Sequence, residues 1–133
     1  MISLKKLLCI SAMCVVTLGV TVNARTLVGT STATLSNTEY NVKGSYVAVW
    51  GTTDGEGDLK VRSTVQGQSV KAEAMAVREL WPDNAIASCS SSSSTYVTNN
   101  GFNLPYANNG YYVKVSSTKK ATTGDGELKV YVP

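Results

Sequence analysis

Two stretches of this chain share one pattern, and that pattern constrains the fold more than any other feature. Residues 45–65 read SYVAVWGTTDGEGDLKVRSTV, and residues 110–133 read GYYVKVSSTKKATTGDGELKVYVP. Each runs from a Tyr/Val alternation through a loop rich in Thr, Gly, Asp and Glu to Leu-Lys-Val. Side chains on a strand point to opposite faces in turn. Val47 and Val49 then face inward, with Leu59, Val61 and Ser63 returning on the same side. In the second stretch Tyr111, Val113 and Val115 face inward, and Leu128, Val130 and Val132 return opposite them. Both stretches are expected to be hairpins, the second closing the chain. Their likeness is read as convergence of hairpins of similar length, not as a repeat.

Between and before these stretches, short extended segments alternate with turn signals. Residues 30–35 are Thr-rich and read as an edge strand, ended by Ser36-Asn37. Residues 39–43 form a short piece that Gly44 breaks. Residues 70–80 are ambiguous. Their Ala, Glu, Met and Leu content favours helix, but Val70, Ala72, Ala74 and Ala76 alternate with Lys71, Glu73, Met75 and Val77 as in a strand. Strand neighbours on both sides favour a strand here. Trp81-Pro82-Asp83-Asn84 is a firm stop. Residues 85–89 read as a short strand and residues 90–94 as a polar loop. Strand pieces at 95–98 and 102–104 flank Asn99-Asn100-Gly101, a hairpin-turn or bulge signal. Many short strands with turns between them predict an all-β fold: an antiparallel β-sandwich of roughly eight strands, jelly-roll-like or immunoglobulin-like.

The N-terminus reads differently. Lys5 and Lys6 precede an uncharged apolar run, residues 7–22, which ends in Val22-Asn23-Ala24. This is the pattern of a secretory signal peptide, residues 1–24, cleaved after Ala24. The expectation is a secreted, extracellular protein with one domain, residues 25–133, and no stable membrane span after cleavage. A retained anchor fits less well, because Ser11, Thr17, Gly19 and Thr21 dilute the apolar run. Lipidation at Cys14 would want Gly or Ala where Met13 stands.

Removing 24 of 133 residues leaves 109, enough to bury a core without staples. Two of the three net positive charges leave with Lys5 and Lys6, and a balance so near neutral excludes a dedicated nucleic-acid binder. Cys9 and Cys14 leave as well. Cys89 is then either a small buried residue or the link of a disulfide-bonded dimer. The chain has no histidine. That excludes Ser-His-Asp and Cys-His triads and removes the commonest zinc ligand.

Asn109-Gly110-Tyr111-Tyr112-Val113-Lys114-Val115, followed by Gly124-Asp125-Gly126-Glu127-Leu128-Lys129-Val130-Tyr131-Val132, resembles the last two strands of small secreted single-domain β-sandwich proteins of Gram-positive bacteria. Similar endings occur in secreted pre-peptidase-type β-sandwich domains. The resemblance covers about the last fifth of the chain. It implies a fold and an extracellular place, and no activity.

Two constellations bear on chemistry. Asp54, Glu56 and Asp58 stand at alternate positions, and Asp125 and Glu127 echo them. If the two stretches lie side by side, these five carboxylates could converge on a calcium ion. The pattern fails as an EF-hand, and Asp and Gly are also simply good turn residues. A glycosidase pair would need a cleft on a rigid sheet. No catalytic residue and no cofactor is therefore assigned. The second constellation is the set of outward positions: Tyr46, Trp50, Lys60, Arg62, Tyr112, Lys114, Lys129 and Tyr131. If the hairpins share one sheet, Lys60, Arg62, Tyr112, Lys114, Lys129 and Tyr131 form one face, with the acids gathered in loops. Such a face would present a positive field to an anionic cell-wall polymer or another surface glycan, with salt-sensitive binding. The alternative for these residues is an ordinary solvated sheet surface. The function expected is a secreted, non-catalytic binding or structural module contacting cell-surface or extracellular polymers. A secreted effector, such as a bacteriocin-like toxin or an enzyme inhibitor, is the alternative.

Overall fold

Alternation decides the layers. The computed structural model describes residues 25–49, 55–105 and 110–133. The expected signal peptide, Trp50, Asp54 and Asn109 lie outside the described residues. The strands are β1 (Thr26–Leu35), β2 (Asn41–Lys43), β3 (Val47–Ala48), β4 (Gly55–Ser63), β5 (Val70–Ala76), β6 (Asn84–Ser91), β7 (Val97–Leu104), β8 (Gly110–Ser116) and β9 (Gly124–Val132). They form two antiparallel sheets. Sheet A has the order β1-β9-β4-β7, and sheet B the order β2-β8-β5-β6, with β3 also paired to β8. This is the antiparallel sandwich expected from the sequence, and no helix occurs among the described residues.

Along β4 buried and half-buried residues alternate without a break. Leu59, Val61 and Ser63 face in, as their phase predicts. Leu128 and Val130 do the same on β9. From sheet B, Val70, Ala72, Ala74, Ala76, Tyr111, Val113 and Val115 meet them in one core cluster. Each fully buried Leu or Val in this layer contributes about 1.5–3 kcal/mol. The small alanines of β5 let the sheets approach closely. Gly126 marks the tightest point, since a Cβ there would run into Cγ2 of Val115.

Residues 70–80 are strand only as far as Ala76. The inward Val/Ala row outweighs helix propensity because β6 and β8 pair with both edges of β5. Asn99-Asn100-Gly101 is a bulge within a continuous β7. Gly57 pairs with Phe102 and Asp58 with Asn100, which leaves Gly101 as the extra residue at φ 73°. Glycine takes that left-handed backbone without a Cβ penalty. The first strand begins at Thr26, four residues before its expected start, and lies at a sheet edge as expected.

One expectation fails. β8 and β9 are not a hairpin, because β8 belongs to sheet B and β9 to sheet A. β3 and β4 likewise belong to different sheets. The two related stretches each cross between layers and pair with each other, β3 with β8 and β4 with β9. The physical reason lies in the inward phase. Both strands of each stretch bury their apolar faces, and facing sheets satisfy that as well as one sheet does. The glycines read as turn residues (Gly55, Gly57, Gly124, Gly126) are buried positions of strands.

Gly126→Val should therefore lower stability by about 1–3 kcal/mol through overpacking against Val115. The urea midpoint of the purified chain reads this. A midpoint equal to wild type would mean that the sheets do not close at this point.

Candidate functional site

Because the inward positions of β4 and β9 are apolar or glycine apart from Ser63, their charged residues all emerge on the outer face of sheet A. The register then fixes which side chains meet. Asp58 lies opposite Lys129, Lys60 opposite Glu127, and Arg62 opposite Asp125. Arg62 donates from Nε and Nη2 to Oδ2 of Asp125 at 2.9 and 2.8 Å. Thr34 Oγ1 donates to the other oxygen of that carboxylate at 3.1 Å. Glu127 stands between Lys60 at 3.7 Å and Lys129 at 3.9 Å.

The densest cluster of polar contacts is at the Arg25 end. Its guanidinium forks onto Asp58, with Nη1 to Oδ1 at 3.1 Å and Nη2 to Oδ2 at 2.6 Å. It also approaches Glu56 at 3.6 Å and lies 3.8 Å from the centroid of the Tyr131 ring. The bulge donates the Gly101 N–H to Asp58 Oδ1 at 2.9 Å. Burial pushes the Asp58 carboxyl upward, but the hydrogen bonds from Arg25 and Gly101 outweigh it and hold Asp58 below the usual carboxylate range. At the other end, Tyr96 receives Lys60 at 4.6 Å and Arg62 at 5.0 Å from its ring centroid. Beside Tyr131 is a hollow of about 200 Å³, with Leu59 among its lining residues. Asp58, Lys60, Thr98, Asn100, Glu127, Lys129 and Tyr131 make up the rest of its wall.

The expected binding face is divided. Lys60, Arg62, Lys129 and Tyr131 do share the outer face of sheet A. Tyr112 and Lys114 lie on the outer face of sheet B. Tyr112 is also only 1% exposed. Its hydroxyl donates to Asp83 Oδ2 at 2.5 Å, and the Tyr46 ring packs 5.1 Å from its own. Burial, then the Asp83 carboxylate, push the Tyr112 phenol well above its usual range. The expected segregation of charge is overturned as well. Arg25, Lys60, Arg62 and Lys129 share their face with Glu56, Asp58, Asp125 and Glu127, four charges of each sign. The acids are strand residues beside the cations, because the Gly-Asp-Gly-Glu segment begins β9 instead of forming a turn.

Glu56, Asp58, Asp125 and Glu127, the carboxylates considered for calcium, each meet a cation. Asp54 lies outside the described residues. No group of three or more acidic or cysteine side chains is placed to hold a metal among the described residues. Arg25, Tyr96, Thr98 and Asn100 were not singled out by sequence. Arg25 precedes the first expected strand, residues 30–35. The β7 residues were hidden by the bulge; treating Asn-Gly as a bulge in one strand would have put Thr98 and Asn100 in phase with Lys60 and Asp58.

No protein-family model and no curated protein matches the chain. Several solved structures resemble it in shape. The Yersinia pseudotuberculosis-derived mitogen is 12% identical with a TM-score of 0.47, covering 83% of this chain and 88% of its own. The CBM36-1 domain of a multidomain xylanase from the hindgut metagenome of Trinervitermes trinervoides is 11% identical with a TM-score of 0.49, covering 80% and 90%. A protein of Bacillus endospore appendages, described as disulfide-linked pili, is 9% identical with a TM-score of 0.38, covering 83% and 90%.

Cys89, considered above as a dimer link, packs against the core with its Sγ 3.6 Å from the carbonyl oxygen of Val97. Burial pushes its thiol up to about 11. Reaction of the folded chain with a disulfide reagent should therefore stay slow at pH 8 and accelerate only as the pH approaches that value. Rapid labelling at pH 8, at the rate of an unfolded control, would place the thiol at the surface.

Proposed function

We propose that the protein is a non-catalytic binding module that acts outside the cell and grips a neutral, hydroxyl-rich polymer, a surface glycan, on the outer face of sheet A. One observation carries this reading: the hollow beside Tyr131 is walled by ionic and amide groups whose charges cancel in pairs. A sugar offers hydroxyls that both donate and accept. It is best met by donors and acceptors held at fixed positions, with apolar ring surface nearby. The ion pairs hold Asp58, Lys60, Glu127 and Lys129 in place, while Thr98 and Asn100 add neutral donors and acceptors. A polyanion would have to compete with four carboxylates on the same face, which argues for a neutral glycan over an anionic wall polymer.

Affinity electrophoresis against soluble neutral glucans, mannans and galactans tests this reading. At least one polymer should retard the wild type equally at low and physiological salt. Combining Thr98→Ala with Asn100→Ala should weaken that retention about tenfold without loss of fold, since each lost hydrogen bond is worth about 0.5–1.5 kcal/mol. Retention only by anionic polymers, fading as salt rises, would overturn it. The extracellular setting has its own test. Chain recovered from culture medium should have an intact mass lacking residues 1–24. A mass that includes them, or a lipid adduct on Cys14, would refute export by cleavage after Ala24.

A further inference from the structure

The opposite side of the sandwich carries a feature that glycan binding on sheet A does not use. The connection from β5 to β6, residues 77–83, ends in an apolar apex. Leu80 is 90% exposed and Trp81 67%. Exposed apolar residues scattered singly need no explanation, but this pair is adjacent and held in place. Asp83 anchors one end of the loop, accepting from the Tyr112 hydroxyl at 2.5 Å and from the Arg78 N–H at 3.3 Å. Val77 anchors the other, its N–H donating to the Gly110 carbonyl at 2.9 Å. Tyr46, 64% exposed, stacks on Tyr112 at this same end of sheet B.

Charge is distributed to match. The ion pairs on sheet A cancel, so the excess of lysine and arginine among the described residues lies elsewhere, on sheet B and at Lys119 and Lys120 between β8 and β9. On the outer face of sheet B, Lys43 pairs across to Lys114, and Lys114 across to Glu73. The Lys43 ammonium is 5.7 Å from the Tyr112 ring centroid. Lys71 is the next outward residue before Glu73 and lies 3.9 Å from it. Arg78 is on the loop itself. The acids on these elements are Glu73, on the sheet face, and Glu79 and Asp83, on the loop; the hydrogen bonds from the Tyr112 hydroxyl and the Arg78 N–H hold Asp83 in place and leave its charge, so four cations stand against three acids.

We infer that residues 77–83 and the lysines of sheet B dock the protein on an anionic lipid bilayer, with Leu80 and Trp81 entering the interface. A convex apolar apex suits a fluid surface that yields around it, whereas a rigid partner would need a matching socket. Tryptophan and tyrosine favour the headgroup level, and leucine the acyl boundary below it. Lysines at that level gain from the negative surface potential, each by roughly fivefold in affinity. The surface is separate from the glycan hollow, so one molecule can hold both ligands.

Tryptophan fluorescence with brominated-lipid vesicles tests this. The chain has two tryptophans, so the signal of Trp81 is read in Trp50→Phe, or as the difference between wild type and Trp81→Phe if Trp50→Phe does not fold. Vesicles of phosphatidylcholine with phosphatidylglycerol should quench Trp81, and vesicles of phosphatidylcholine alone should not. Changing Lys43, Lys71 and Lys114 together to Gln should weaken vesicle binding about a hundredfold. Leu80→Ser with Trp81→Ser should abolish it while leaving a strand-type far-ultraviolet spectrum. Thr98→Ala with Asn100→Ala should leave it unchanged, which separates this result from failure of the glycan reading. Absence of Trp81 quenching at low salt, equal quenching without phosphatidylglycerol, or full vesicle binding by the Leu80/Trp81 variant would each overturn the inference.

Discussion

The structure depends on one pairing, that of β4 with β9. Their sequences, GEGDLKVRS and GDGELKVYV, are nearly the same string, and they run antiparallel with Leu59 opposite Leu128. An antiparallel pair turns a string onto itself about its midpoint. In a string reading acid-Leu-Lys, each acid then falls opposite the other strand's lysine. Asp58 meets Lys129 and Glu127 meets Lys60 for this reason alone. The same reflection sets glycines against β-branched residues on the inner side, Gly57 with Val130 and Gly126 with Val61. The ladder that fills the centre of sheet A therefore also writes the charge pattern of its outer face. Cross-strand pairs of this kind contribute about 0.2–1 kcal/mol each, and their stronger effect is on register. A one-residue slip of β4 against β9 would turn Asp58 and Lys60 into the core.

This explains what was legible in the sequence. The inward phase of Leu59, Val61, Val113, Val115, Leu128 and Val130 follows from local alternation, and it came out right because both faces of the core obey the same rule. The partner of each strand does not follow from alternation. A strand–loop–strand segment with two buried faces fits one sheet or two facing sheets equally, so the layer of β8 relative to β9 was not written locally. The split of the expected face, with Tyr112 and Lys114 on one side and Lys60, Arg62, Lys129 and Tyr131 on the other, follows from that single ambiguity. Residues 70–80 show the converse. Composition favoured helix, and the neighbours of β5 on both edges decided for strand.

The placement of charge departs from the sequence expectation for a related reason. Gly-Asp-Gly-Glu has turn composition, but here its glycines occupy buried positions where the sheets close, and its acids come out among the lysines. A mean charge on a segment says little until the strand phase and the partner strand are both known. Once they are, the four-against-four balance on sheet A and the cation excess elsewhere follow together.

The two faces consequently differ in the physics they offer. On sheet A each cation is matched by an acid across a strand, so the long-range field is weak and recognition must come from short, directional contacts. On the strands of sheet B the outward lysines, Lys43, Lys71 and Lys114, face one acid, Glu73, while the loop at its end carries Arg78 against Glu79 and Asp83. Both properties trace to sequence position. The self-complementary string supplies acids to sheet A, and β8, with only Lys114 between its buried valines, supplies none to sheet B. A sandwich assembled from these strands in this order gains one face suited to neutral, directional ligands and one suited to a charged, yielding surface.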